Sequence, residues 1–499
     1  MKKIFLSLGI LAGLFLTSCD DGLLENFTPG TINEDEGILD DTDLQRVMNT
    51  VYTSLTPLSE MEFDSVFTDE VAIGFANGGQ GLGQDYVFNV NSDGDAANDI
   101  WVSHYVTIGT ANRVIKGADA LLATDEFATS TNVKRLKAEA LTVRAYCHNQ
   151  LMSYYSTNPK NPSALGVLIA IDVYPYTYTS LRKTNLEVFT QIDSDLDAAI
   201  ALFAESGATV DRLAANVDFA HATKARSYAL RGDYPNALIE ANWVIDNSGL
   251  QLATFANYRL VFHTDAQPAN QEVIFKVKKT AGQTRVGAIY ASVAPTVAGS
   301  PFFEVSRSLF NLLPTSDVRR TTNVLPASEI DETAYQTDPN YNTDTEKIII
   351  RKHPGRGTGS TTVFVNDIKI SRLSEMYLIR AEAYADANDL VNAATNVRTI
   401  RAIRRNVTVP TLVFADQQEA WREILQERRV EFCYEGYRYI DLKRLGALAG
   451  VTINRDPKDC TQFNACNVPA MTDYRFTLPI PTAESNANSA ILSQQNPGY

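Results

Sequence analysis

Apolar residues in this chain recur mostly three and four positions apart, the spacing that gathers side chains on one face of an α-helix. The stretch "DLQRVMNTVYTSL" (43–55) opens the series. In "IWVSHYVTIGTANRVIKGAD" (100–119), Trp101, Tyr105, Ile108, Asn112 and Ile115 fall on a single helical stripe. The long segment "VKRLKAEALTVRAYCHNQLMSYY" (133–155) is rich in Ala and Leu, which favour helix. All three tryptophans, Trp101, Trp243 and Trp421, sit inside such patterns and are expected in the core.

Two of the helical segments resemble each other. "ARSYALRGDYPNA" from Ala225 and "AEAYADANDLVNA" from Ala381 align at Ala225/Ala381, Tyr228/Tyr384, Ala229/Ala385, Asp233/Asp389, Asn236/Asn392 and Ala237/Ala393. Each predicts an Ala-rich helix, a turn at Gly232 or Asn388, and a second helix, the unit of tetratricopeptide repeats. Such pairs must stack on others to bury their faces. Residues 157–185 and 249–370 are different: rich in Pro, Gly, Thr and Tyr, with short strand-like runs such as "EVIFKVKK", "KIIIRK" and "TVFVNDIKI". Long connections of this kind are often functional. The expected fold class is mainly α, a scaffold of tetratricopeptide-like helix pairs with a loop-rich face containing a few short β-strands.

The N-terminus follows another pattern. Lys2 and Lys3 precede an uncharged run from Ile4 to Leu16, the layout of a secretory signal and too short for a good bilayer-spanning helix. Leu16-Thr17-Ser18-Cys19 resembles the lipobox cut by the lipoprotein signal peptidase, which makes Cys19 the expected lipidated first residue. Each buried acyl methylene contributes about 0.8 kcal/mol, so several chains hold a soluble body at a membrane. Asp20 and Asp21 resemble the signal that sends some lipoproteins of Bacteroidota to the outer cell surface. Residues 20–37 are acidic and punctuated by Gly and Pro, and read as a tether.

Charge narrows the partners. Without Lys2 and Lys3, 42 basic residues face 59 acidic ones, a net of −17, and no Lys/Arg block forms a phosphate-binding face. Nucleic acid is therefore a poor candidate. Of the four later cysteines, Cys147 and Cys433 lie in helical patterns as small apolar residues. Cys460 and Cys466 flank the short loop "DCTQFNAC", where a local disulfide is possible in an exported protein. No second pair or nearby histidine completes a zinc set.

Candidate chemistry is sparse. Glu427, Glu431 and Glu435 recur at four-residue spacing and could in principle form a hydrolytic acid pair. The structural alternative is an ion network of these acids and Asp441 with Arg428, Arg429, Arg438 and Arg444. The five histidines are scattered, with no HExxH and no G-x-S-x-G elbow. "NGGQGLGQD" (77–85) lacks the GK[ST] ending of a phosphate loop. "NVNSDGDAAND" (89–99) imitates a calcium loop through Asn89, Asn91, Asp93, Gly94 and Asp95, but position twelve is Ile100 instead of a bidentate Glu. No cofactor is implied.

Several longer stretches together closely resemble the SusD/RagB family of surface nutrient-binding lipoproteins. They are "RLSEMYLIRAEAYADANDLVNAATNVRTIRAIRR" (372–405), "ILQERRVEFCYEGYRYIDLKRLG" (424–446) and "LPIPTAESNANSAILSQQNPGY" (478–499), with "WVSHYVTIGTANRVI" and "GDYPNALIEANWVI" upstream. The resemblance runs from the lipobox to the final Asn-Pro-Gly-Tyr. It implies a signal peptide (1–18), a tether (19–37) and one body (38–499) whose N-terminal part spans about 38–245 and whose C-terminal part spans about 270–499. It also implies four tetratricopeptide-like pairs, no catalysis, and a SusC-like TonB-dependent barrel in the outer membrane as partner. In that family the lipoprotein is a lid that captures nutrient, mostly glycans and in the RagB branch peptides.

An oligosaccharide site needs aromatic faces for the apolar side of sugar rings and polar groups for hydroxyls. With the tryptophans assigned to the core, the candidates are Phe75, Tyr86, Tyr174, Tyr176, Tyr178, Tyr290, Phe302 and Phe303, with Asn77, Gln80 and Arg285 as polar contacts. The expected function is oligosaccharide capture for an importer. A peptide-binding lid is the alternative, and a glycoside hydrolase a further one.

Overall fold

The computed structural model describes residues 37–499 apart from 78–83, 176, 293–300, 327, 329, 331–346 and 360. The expectations for Cys19 and the N-terminal leader, and the candidates Gln80 and Tyr176, lie outside the described residues.

The apolar stripes become helices α1 (Asp41–Ser54), α2 (Leu58–Phe67), α3 (Asp95–Leu122) and α4 (Thr131–Tyr155). Trp101, Ile108, Asn112 and Ile115 are buried along α3. Helices α5 (Asn185–Ser206), α6 (Val217–Arg231) and α7 (Tyr234–Asn247) follow. Side-chain oxygens of Ser130, Thr184, Asn216 and Asp233 accept backbone N–H groups at the starts of α4 to α7, and Thr184 with Glu187 forms a reciprocal capping box.

The loop-rich half contributes α8 (Phe255–His263), α9 (Arg307–Phe310) and α10 (Val318–Asn323), and two small antiparallel sheets. Strand β1 (Val71–Ile73) pairs with β3 (Phe303–Val305), with Val71 opposite Val305 and Ile73 opposite Phe303. Strand β2 (Val273–Val277) pairs with β4 (Ile368–Arg372) through an irregular register. Helical order resumes with α11 (Leu373–Asp386), α12 (Leu390–Arg404), α13 (Gln417–Phe432) and α14 (Arg438–Ala449), and ends with the short α15 (Pro457–Cys460) and α16 (Thr482–Ala487). The protein is mainly helical with a few short strands.

The repeated sequence folds into one hairpin used twice. Gly232 and Asn388 both take positive φ, +79° and +57°. The next backbone N–H, of Asp233 or Asp389, donates to the carbonyl of Tyr228 or Tyr384 at 2.9 or 2.8 Å. Each aspartate then caps the second helix and accepts the Asn236 or Asn392 amide at 2.7 or 2.6 Å. Buried Ala225, Ala229, Ala237 and Ala241 in the first hairpin, and Ala381, Ala385, Ala393 and Ala394 in the second, let the helices approach closely. The hairpins pack on each other through α7 and α11; α13 packs on the second, and α14 returns to α2.

Three apolar cores result among the described residues. The largest fills the helical scaffold. The second lies under the loop layer and gathers Tyr86, Tyr290, Phe303, Val305, Phe310, Val430, Tyr434 and Cys460. The third is small and joins Ala253, Tyr258, Val261 and Phe262 to Val273 and Val318.

The carboxylates of α13 are buried in an ion lattice. Glu431, fully buried, accepts from Arg372 at 2.8 Å, Arg404 at 2.9 Å and Arg319 at 3.1 Å. Glu427 takes Arg319 and Arg401, both at 2.6 Å, and Glu272 takes Arg372 at 2.8 Å and Arg404 at 3.0 Å. Burial opposes ionisation of Glu431, but Arg404, Arg372 and Arg319 hold its carboxyl well below the usual range.

The expected partners need correction. Arg428 and Arg444 do pair with Asp441, but their other acid is Glu382. Arg429 and Arg438 instead pair with Asp69. Successive helical residues diverge around the axis, so Arg428 and Arg429 leave α13 away from the Glu427–Glu431 face. Helix α13 also ends at Phe432, so Glu435 meets Arg372 and Lys352 from a turn, not from a further helical turn.

Replacing Glu431 with Gln strands three buried guanidinium groups without their shared counter-charge. We expect a loss of about 3–5 kcal/mol, read as a lower urea midpoint at unchanged slope.

Candidate functional site

The loop layer is organised around the β1–β3 ladder. Gly74 continues β1, and its N–H donates to Phe302 O at 2.8 Å. A Cβ at Gly74 would lie 2.4 Å from Pro301 O, so only glycine permits this approach. The Ala76 N–H donates to Pro301 O at 3.1 Å, and the Asn77 amide to Phe302 O at 3.0 Å. Phe75 is thereby held 45% exposed, and Lys347 Nζ lies 4.9 Å from its ring centre. Its N–H donates to Glu304 at 3.1 Å, while the other Glu304 oxygen accepts from Ile348 N–H at 2.9 Å. Burial pushes the Glu304 carboxyl up in spite of both bonds.

Between this ladder and the segment after α14 lies a cleft of about 180 Å³. One wall carries Phe75, Glu304 and Arg307; the other carries Lys458, Asp459, Gln462 and Phe463. Asp459 joins the walls, accepting the Arg307 N–H at 2.8 Å and pairing with its guanidinium. The cleft thus offers an exposed aromatic face beside charged and amide groups.

The structure brings six expected residues together here, but in different roles. Phe75 is exposed and Phe302 half-buried at the ladder. Asn77 is buried with its Oδ1 unpartnered among the described residues. Tyr86, Tyr290 and Phe303 belong to the second core, which removes them as contact residues. The Tyr86 hydroxyl donates to Asp459 O at 3.0 Å, and Tyr290 shares a 3.2 Å bond with Ser65. Phe303 is strand-borne and turns inward where its neighbour Phe302 does not.

Tyr174 and Tyr178 lie elsewhere, on a loop tied to α3 and α4 by Asn112 and Arg144. Their rings stack in parallel, 3.9 Å apart, with Tyr178 48% exposed. Arg285 is half-exposed beside a short turn and does not line the cleft. Of the tryptophans, Trp101 and Trp421 are core, whereas Trp243 is half-buried and stacked on His221 with centres 3.6 Å apart. That pair borders a groove of about 900 Å³ in the helical scaffold. Its polar lining is largely occupied: His221 pairs with Glu240, and Arg135 with Glu139, Gln45 and Asn132.

The calcium-like side chains do not converge. Asn89 bonds Gln84, Asn91 accepts the Asp93 N–H at 3.0 Å, and Asp93 accepts the Thr482 hydroxyl. Asp95 starts α3. Among the described residues no group of three or more His, Cys, Asp or Glu is arranged to hold a metal. Cys460 and Cys466 form a disulfide with Cα atoms 5.0 Å apart. Sequence reasoning missed Glu304, Arg307, Lys347, Lys458, Gln462 and Phe463. The signal for the last two was present, since a loop closed by two cysteines exposes what lies between them.

A helical-repeat scaffold thus carries a loop-built cleft. The SusD family's sequence profile matches residues 321–499, and a second profile, described as starch-binding associating with outer membrane, matches residues 31–229. The chain belongs to the SusD family. It is similar to SusD-like protein P2 of Formosa agariphila, with 23% identity over 100% of both chains. It shares its fold with a SusD superfamily protein from Bacteroides thetaiotaomicron (24% identity, 92% of this chain and 100% of that one, TM-score 0.76). A SusD-like carbohydrate binding protein from Bacteroides vulgatus has the fold too (21% identity, 84% and 85% of the two chains, TM-score 0.65).

At the base of β1, Glu70 is fully buried and accepts from Ser65 at 2.9 Å and from Tyr434 N–H at 3.0 Å. Burial pushes its carboxyl from 4.5 up to about 7, against those two bonds. A raised acid binds its proton more tightly in the folded state, so stability is highest below the unfolded value and falls as pH rises towards about 7. Glu70→Gln should remove this slope between pH 5 and 8, a gain of up to about 3 kcal/mol at the upper end, measured by urea unfolding across that range.

Proposed function

We propose that this protein is a lipid-anchored receptor on the outer-membrane surface. It captures oligosaccharide in the β1–β3 cleft and passes it to a SusC-like TonB-dependent barrel, over which it acts as a lid. The observation that carries this reading is the exposed Phe75 ring set in one cleft with the exposed Gln462 amide and the half-exposed Lys458, over a floor where Glu304, Arg307 and Asp459 are already bonded. A sugar ring needs this pairing: an apolar face to leave water against, and donors and acceptors for its hydroxyls. The lipobox before Cys19 and the family's description support the membrane location. Binding without turnover is supported by the state of the α13 acids. Glu427 and Glu431 are committed to buried arginines and do not line the cleft.

Calorimetry of the soluble body with maltoheptaose, laminarihexaose, cellohexaose, xylohexaose and mannohexaose tests the ligand class, with a peptide library and product analysis alongside. We expect saturable binding of at least one oligosaccharide, weakened about tenfold by Phe75→Ala, with no hydrolysis. Binding of peptides alone, or release of shorter sugars, refutes the reading. For the anchor, mass spectrometry should find an acylated mature N-terminus at Cys19, and Cys19→Ser should abolish both acylation and cleavage and deplete the protein from the outer-membrane fraction.

A further inference from the structure

We propose that the disulfide-closed loop 460–466 is the specificity wall of the cleft: Gln462 and Phe463 contact the bound sugar, and the disulfide holds them ready before it arrives. This rests on the reading of the cleft as the oligosaccharide site. The argument begins with how the loop is fastened. Cys460 is fully buried in the second core, and Ala465 beside it is buried as well. Before the loop, the Asp459 carboxylate is bonded to Arg307 and its carbonyl to the Tyr86 hydroxyl. At the far end the Ala465 carbonyl accepts from Arg455 at 3.2 Å, and its N–H donates to Cys460 O at 3.1 Å. Asn464 closes the turn at φ +54°.

The base is therefore fastened by backbone and side-chain bonds, whereas the Gln462 side chain at the tip is not. Gln462 is exposed, and among the described residues its amide has no hydrogen-bond partner. Phe463 is half-buried, its ring edge-on to Tyr86 with centres 6.0 Å apart. Both line the cleft from the wall opposite Phe75. A flexible loop in this place would lose conformational freedom when ligand ordered it, which weakens binding. The disulfide removes most of that freedom in advance. Aromatic residues on the two walls would grip a sugar ring from different sides, and the Gln462 amide can both donate to and accept from hydroxyls.

The test compares wild type with Phe463→Ala, Phe463→Tyr, Gln462→Ala, Phe75→Ala and the double variant Cys460→Ser/Cys466→Ser. Each is titrated calorimetrically with the same five oligosaccharides, and thermal unfolding checks the fold. Phe463→Ala should weaken the tightest probe about tenfold and change the order of preference among the five, with Phe463→Tyr restoring binding to within about threefold. The double serine variant should bind about three- to tenfold more weakly, with the loss in the entropy of binding and not in its enthalpy. If Phe75→Ala weakens binding while both Phe463→Ala and Gln462→Ala stay within twofold of wild type, the inference falls and the cleft reading stands. A wild-type protein that binds none of the five overturns both.

Discussion

The structure depends on charge buried inside it. Glu431 and Glu272 share Arg372 and Arg404, and Arg319 bridges Glu431, Glu427 and Asp317, all with almost no solvent exposure. Taking such groups from water is costly, and only a near-complete set of partners offsets the cost. Completeness demands position. Arg372 ends β4 at the start of α11, Arg404 ends α12, Arg319 sits on α10, and Glu272 precedes β2. Any shift of one element by a residue would strand a charge, so the lattice fixes the helical hairpins and the loop layer in one register.

The same helix extends this control to the cleft. On another side of α13, Arg429 reaches Asp69 at 3.3 Å, joined by Arg438 at 2.8 Å, and these cations hold the buried Asp69 carboxyl well below the ordinary range. Asp69 stands two residues before β1, and its carbonyl accepts the Ser306 hydroxyl just after β3 at 2.6 Å. Scaffold and ladder are thus linked through one helix: the lattice sets α13, α13 sets Asp69, and Asp69 sets the strands that present Phe75. The position of an exposed aromatic ring follows from ion pairs far behind it.

How much of this was legible depended on distance along the chain. The hairpins were readable because their turn chemistry is local: a left-handed residue, an aspartate cap and an asparagine three positions on. The α3 stripe was readable for the same reason. Arg319, Arg372 and Arg404 stand 112, 59 and 27 residues from Glu431, so proximity in sequence pointed instead to Arg428 and Arg429, on the wrong faces of the helix. The second core was invisible for a related reason. It collects residues from widely separated strands, helices and loops, and an aromatic residue in a Gly- and Pro-rich segment looks the same whether it pins the loop, as Tyr86 and Tyr290 do, or faces solvent, as Phe75 does.

The two walls of the cleft are held by different physics. The ladder wall hangs on backbone hydrogen bonds. The opposite wall leans on Arg455, a buried guanidinium that donates to the carbonyls of Thr68, Val66, Phe67, Tyr86 and Ala465, with the Tyr86 and Phe88 rings 4.1 and 4.3 Å away. Burial lowers its pKa to about 10, which still leaves it charged at neutral pH. Carbonyl dipoles and ring faces here do the solvating that a carboxylate would otherwise do. A carboxylate would bind two or three donors in one direction, whereas carbonyls from three separate segments surround the cation and draw those segments together. Arg455 therefore ties the end of α2, the Tyr86 turn and the disulfide loop together, so the wall carrying Phe463 is fastened to the helix beneath it.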